Sequence, residues 1–76
     1  MASFEVRAHW DPEVHVWWAE SDDVPGLVAE AESEENMRAE LRELVPELLR
    51  VNGAFPADGR IQLHFVFDET EDLIAA

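Results

Sequence analysis

Residues Asp22 to Met37 read DDVPGLVAEAESEENM, and the order of signals inside this stretch decides the fold. Val24-Pro25-Gly26-Leu27 sets Pro and Gly at the two central positions of a four-residue turn, the pattern of a type II turn in which Gly supplies the positive φ. Asp23, Pro25 and Gly26 are therefore read as a structural turn. Val28-Ala29-Glu30-Ala31-Glu32 then alternates small and acidic residues, so residues 27–32 read as a short edge strand. Glu30 and Glu32 discourage another chain from pairing with that edge, while Ala29 and Ala31 leave room for a helix on the inner face. Ser33 is a helix N-cap, and Glu34 and Glu35 fall in the first turn, where the positive end of the helix dipole favours acids.

Downstream of that cap, Met37, Leu41, Leu44, Val45, Leu48 and Val51 form one stripe at helical spacing, while Arg38, Arg42, Glu43, Glu47 and Arg50 fall away from it. The helix is expected over residues 34–52, with Asn52-Gly53 as its stop. Pro46 interrupts the pattern; an interior Pro costs ~3 kcal/mol and frees the Arg42 carbonyl. Each buried Leu contributes ~1.5–3 kcal/mol, so several of them predict a kinked but continuous helix. A break before Pro46, with Pro opening a second helix, is the alternative. Ala54 to Gly59 is a loop, and residues 60–68 form a strand with Ile61, Leu63, Phe65 and Phe67 inward and Gln62, His64 and Asp68 outward. Val66 is the apolar exception on the outer side, and residues 69–76 read as a frayed end.

Upstream, residues 3–10 alternate: Phe4, Val6, Ala8 and Trp10 on one side, Glu5, Arg7 and His9 on the other. Asp11-Pro12-Glu13-Val14 is a turn, and residues 15–21, rich in aromatic and β-branched side chains, make a second strand and so a hairpin. A loop from Pro12 to His15 pairs Trp10 with Trp17, which buries Trp17 and Ala19 and leaves Val16 and Trp18 outside. A one-residue slip reverses every side chain; the first register is favoured.

Seventy-six residues make one domain. There is no cysteine, hence neither disulfides nor thiolate metal sites, which fits a reducing cytosol. Eighteen acids against five basic residues give a net charge of -13. Such a surface repels phosphates and anionic lipid and suits a basic partner; it equally serves only to solvate a small protein. No apolar run approaches the ~20 residues of a membrane span, and the start of the chain lacks a signal-peptide pattern. The expected location is cytoplasmic, away from any membrane.

The segments WDPE, VWWAESDDVPGLVAEAES and LRELVPELL, between about Phe4 and Asn52, resemble the HicB-like antitoxin family. They resemble still more a related bacterial family known only as a domain of unknown function. That resemblance implies an α+β fold of truncated ribonuclease-H-like type, βββαβ, with sheet order 3-2-1-4 and one helix on one face. It implies inhibition by binding, the partner being a small basic ribonuclease toxin. Many such antitoxins carry a C-terminal DNA-binding segment; here eight residues follow Asp68, so direct DNA binding is not expected.

The larger relatives of that fold cut nucleic acid with two metals held by converging carboxylates. Here the strand acids Glu5, Glu20, Glu30, Glu32 and Asp68 fall on outward positions, and the net charge repels the substrate. Three histidines, His9, His15 and His64, are the right ligand type for zinc, yet His15 falls in a turn and no close spacing pairs the others. Ser21 and Ser33 fit a strand end and a helix cap, and no Gly-rich phosphate loop is present. Neither an enzyme nor a cofactor is expected.

What remains is a surface. The sheet face away from the helix should carry Val16, Trp18, Val28 and Val66, with Glu30 and Glu32 at its edge and Glu5, Arg7, His9 and Gln62 around it. Two readings stand side by side: a contact site, or a single-layer sheet that leaves one face uncovered. As a contact site it implies a protein partner met by Trp18 and the acidic edge. It also implies self-association into a homodimer, through this face or edge to edge along the last strand. A small-molecule or peptide binding module on the same face is the rival reading.

Overall fold

A computed structural model describes residues 2–75; Met1 and Ala76, the last residue of the expected frayed end, lie outside the described residues. The chain runs β1 (Ala2–Asp11), β2 (Val16–Glu20), β3 (Ala29–Ala31), α1 (Glu34–Val51) and β4 (Ile61–Asp68). The four strands form one mixed sheet in the order β3-β2-β1-β4, with β1 antiparallel to β2 and parallel to β4. This is the expected α+β architecture and strand order.

The hairpin register follows from its loop. Asp11 Oδ1 accepts the Glu13 N–H at 3.0 Å, and the His15 N–H reaches the Asp11 carbonyl at 2.9 Å, so four residues close the turn with His15 at a φ of 57°. Trp10 therefore lies opposite Trp17, His9 opposite Trp18, and Ala8 opposite Ala19. Trp17 is 5% exposed and Trp18 41%, which settles the choice between the two registers.

The inner face of the sheet holds a row of three small residues, Ala29, Ala19 and Ala8, one on each of β3, β2 and β1. All three are buried. Beside them Trp17 reaches Trp10, 5.4 Å between centroids, and crosses Ala8 to meet Phe67 edge-on at 5.2 Å. Small residues in the middle and aromatics to one side let the helix approach the sheet without a void, as dense packing requires.

The Ser33 hydroxyl caps α1 by accepting the Asn36 N–H at 3.0 Å. The helix is continuous through Pro46. It ends in a Schellman motif: Ala54 N–H to the Leu49 carbonyl at 2.8 Å, Gly53 N–H to Arg50 at 3.2 Å, and Gly53 at a φ of 70°. Its buried row is Met37, Leu41, Val45 and Leu49. The expected stripe differs at its end: Leu49 is buried, Val51 is exposed, and Leu44 and Leu48 are half-buried. Successive fours advance by about 40° around a helix of 3.6 residues per turn, so the buried row winds around the axis instead of running straight down it.

The third strand is shorter than expected, Ala29–Ala31 rather than 27–32. Val24 and Leu27 are both buried, because the type II turn, with Gly26 at a φ of 83° and Leu27 N–H to Val24 carbonyl at 3.3 Å, turns them into the core. The chain joins the ladder only after that turn.

The segment leaving β2 also finishes the edge of β1. On the side away from β4 the ladder with β2 ends at Glu20, and side chains take over at Glu5: the Asp23 carboxylate accepts the Glu5 N–H at 2.7 Å and the Ser21 hydroxyl donates to the Glu5 carbonyl. Ser21 Oγ also accepts the N–H groups of Asp23 and Val24 at 3.1 and 3.2 Å. The Asn52 amide then ties the helix end to the turn through the Pro25 carbonyl at 3.0 Å. Ser21→Ala and Asp23→Ala are each expected to cost about 1 kcal/mol, the net worth of such bonds. Urea midpoints check this; unchanged midpoints would mean that water replaces both side chains without loss.

Candidate functional site

Because α1 covers one face only, the odd-numbered residues of β1 and the even-numbered residues of β2 and β4 make an open face. The pairings arrange it in rows. One row runs Glu30, Trp18, His9, Asp68 across all four strands. The next holds Glu20, Arg7 and Val66. Beyond it Glu5 stands beside His64.

His9 is the hub. Its ring stacks on Trp18 at 4.4 Å and 28°. Its Nε2 lies 2.6 Å from Glu20 Oε2, an interaction in which the ring nitrogen donates, since an ionised carboxylate only accepts. On the other side Nδ1 is 3.8 Å from Asp68 Oδ2. Arg7 reaches Glu5 at 3.3 Å, and His64 Nδ1 lies 3.9 Å from the same carboxylate. One indole face is thus pinned by His9, while the indole remains partly exposed.

The expected contact residues are not one apolar patch. Trp18 and Glu30 are directly opposite each other, and Glu32 follows at the end of the short β3. Val16 lies beside Asp11 at the hairpin end of β2, and Val66 lies beside Arg7 on the far strand. Glu20, Arg7 and His9 separate the two valines. Val28 is exposed in the segment before β3 and belongs to no strand. The surface is a checkerboard in which Glu5, Glu20, Glu30, Glu32 and Asp68 stand against one Arg7.

An open depression of about 290 Å³ continues this surface past the end of β2, lined by Glu5, Arg7, Glu20, Ser21, Asp22 and Asp23. Its walls are carboxylates rather than the apolar side chains of a small-molecule cleft. His15 lies apart in the hairpin loop, its ring edge-on to Trp10 at 6.1 Å. Among the described residues no group of three or more His, Cys, Asp or Glu is placed to hold a metal ion. No helix among them is long and apolar enough to cross a membrane.

Reading the sequence strand by strand places His9 on the rim of the site and misses its central role. The signal was available: pairing Trp10 with Trp17 sets His9 opposite Trp18. The contribution of Asp68 was not, because it depends on how β4 aligns with β1.

A family model described as a domain of unknown function, DUF1902, matches residues 3–75. The crystal structure of the hypothetical protein TTHA1013, from the extremely thermophilic bacterium Thermus thermophilus, is similar to the chain at 41% sequence identity and a TM-score of 0.72. That similarity covers 96% of this chain and 99% of the Thermus chain. No curated protein matches.

Proposed function

The chain belongs to the DUF1902 family, and from that premise we propose that it is a non-catalytic protein-binding domain whose open sheet face receives a basic partner. In its sharper form the reading makes it a HicB-like antitoxin that covers the active surface of a small basic ribonuclease in the bacterial cytoplasm. The observation that carries it is the row Glu30, Trp18, His9, Asp68: one half-open indole amid carboxylates from several strands. Trp is the residue type most enriched among interface residues that dominate affinity. Arg side chains stack on indole and pair with carboxylates, so a basic surface finds both kinds of contact here. The rival small-molecule module is the weaker reading, because the depression beside this face is open and lined with acids.

The test is a pull-down against the product of the adjacent gene, with RNA cleavage by that product measured with and without this protein. The expected result is binding and protection, weakening as salt rises because exposed charges are screened beyond ~8 Å at physiological strength. Trp18→Ala is expected to weaken binding about 30-fold or more, the ~2 kcal/mol of an interface anchor. Neither binding nor protection would remove the antitoxin reading. Tight binding indifferent to Trp18→Ala and Glu30→Gln would move the partner off this face.

A further inference from the structure

The two edges of the sheet are built differently. The β3 edge is three residues long, carries Glu30 at its centre and is followed by Glu32. The β4 edge is eight residues long, pairs only with β1, and carries no acid, Lys, Arg or Pro from Ile61 to Phe67. Exposed sheet edges are ordinarily blunted by charge, Pro or brevity; β4 has none of these before its last residue, Asp68.

The inner face is also incomplete on that side. The helix packs closest to β3, at the opposite edge of the sheet, and on β4 it reaches Phe67, whose ring lies under the Arg38 guanidinium at 4.5 Å. Phe4, Ile61, Leu63 and Phe65 are therefore only half-buried, although they continue the core. Beyond β4, residues 69–75 form neither helix nor strand, and within them Leu73 is 85% and Ile74 99% exposed. The radius of gyration is 14.3 Å and the longest extent 56 Å, against ~11 Å expected for a compact chain of this length. A ten-residue strand spans about 33 Å, so this tail supplies the remaining length.

Charge is divided along the same line. Residues 48–67 hold Arg50 and Arg60 against Asp58, a net of +1 that leaves -14 on the rest of the chain. Immediately afterwards come Asp68, Glu69, Glu71 and Asp72, then Leu73 and Ile74. Within one chain this acidic stretch leads away from the neutral strand. In an antiparallel pair of β4 strands it would lie along that strand's approach. Centring the pair on His64 brings Asp68 to Asp72 alongside residues 56–60 of the second copy, with Asp68 opposite Arg60 and the uncharged Thr70 opposite Asp58, and sets Leu73 opposite the half-buried Phe55 and Ile74 opposite Ala54. The Arg60 guanidinium has no ion pair among the described residues.

We propose that β4 is a dimer edge: it pairs antiparallel with β4 of a second copy, and each acidic-then-apolar tail docks on the other copy's β4 margin. One arrangement then accounts for the unguarded edge, the half-covered phenylalanines and the exposed Leu-Ile pair. It does not rest on the reading of the open face, which stays free on both copies and becomes continuous across an eight-stranded sheet.

Sedimentation equilibrium on the full chain tests it, together with hydrogen exchange at two protein concentrations. The expected result is a dimer whose β4 amides become more protected as concentration rises. Leu73→Ser with Ile74→Ser, which leaves the folded core untouched, is expected to weaken the dimer tenfold or more. Gln62→Lys with Val66→Lys, which guards the edge, is expected to leave a monomer. A wild-type monomer at every concentration overturns the proposal, and so does a dimer insensitive to both variants. Dimer loss with the edge variant alone removes the tail from it. Should the edge variant fail to fold, exchange on the wild-type chain still decides, because β4 protection independent of concentration contradicts the pairing.

Discussion

Trp17→Ala is expected to remove ~3–5 kcal/mol of stability, the range for truncating a large buried aromatic. A chain of this length has roughly 4–11 kcal/mol to lose, at 0.05–0.15 kcal/mol per residue. The substitution therefore removes from about a quarter of that stability to all of it. The reason is positional. Trp17 is 5% exposed, stands against Trp10, and bridges the small Ala8 to reach Phe67, so it links the aromatics of three strands under the helix. Its neighbour Trp18 points the other way and has the His9 ring as its aromatic neighbour. Trp18→Ala should cost ~0.5–1.5 kcal/mol, the worth of one stacked pair, while abolishing most partner binding if the open face is used. Urea unfolding followed by far-ultraviolet circular dichroism compares the two without relying on either indole as a probe. A larger loss for Trp18→Ala than for Trp17→Ala would mean that the hairpin is slipped by one residue, and the site with it.

That contrast shows where the fold is written locally and where it is not. Adjacent identical residues carry no clue to which one faces inward; loop length supplies it, because four residues between Asp11 and Val16 fix the pairing. The Pro-Gly turn and the Ser33 cap are equally local, and both are legible from residue type alone. The extent of β3 is not. Val28 alternates correctly for a strand, but the buried Val24 and Leu27 commit the backbone to a turn that ends only one residue earlier. The candidate site lies between these cases. Trp18 and Glu30 on the open face follow from alternation. The convergence of His9, Glu20 and Asp68 requires knowing that β4 returns beside β1 in parallel, a long-range pairing on which no local signal bears. The roles of Ser21 and Asp23 in finishing the β1 edge are hidden for the same reason: their partner, Glu5, lies far back along the chain.

The helix gives the second large effect. The expected stripe through Met37, Leu41, Leu44, Val45, Leu48 and Val51 and a row of fours through Met37, Leu41, Val45 and Leu49 share three members and separate at the C-terminal end. The chain buries the second: Leu49 is fully enclosed and Val51 is 77% exposed. Two features hold the last turn in that orientation. The Schellman bonds of Gly53 and Ala54 fix the end of the helix, and Asn52 anchors it to the Pro25 carbonyl. Leu49→Ala is accordingly expected to cost ~2–5 kcal/mol, as removal of a buried Leu does. Val51→Ala should change stability by less than ~0.5 kcal/mol, with a slight gain where the better helix propensity of Ala shows. Thermal or urea midpoints of the two variants, each against wild type, separate the two rows. If Val51→Ala proves the more damaging, the last turn is rotated toward the straight stripe, and the anchoring of Asn52 on the Pro-Gly turn fails with it. If Leu49→Ala does, the buried row is the one through Val45 and Leu49, and the last turn is seated as the Schellman bonds and Asn52 hold it.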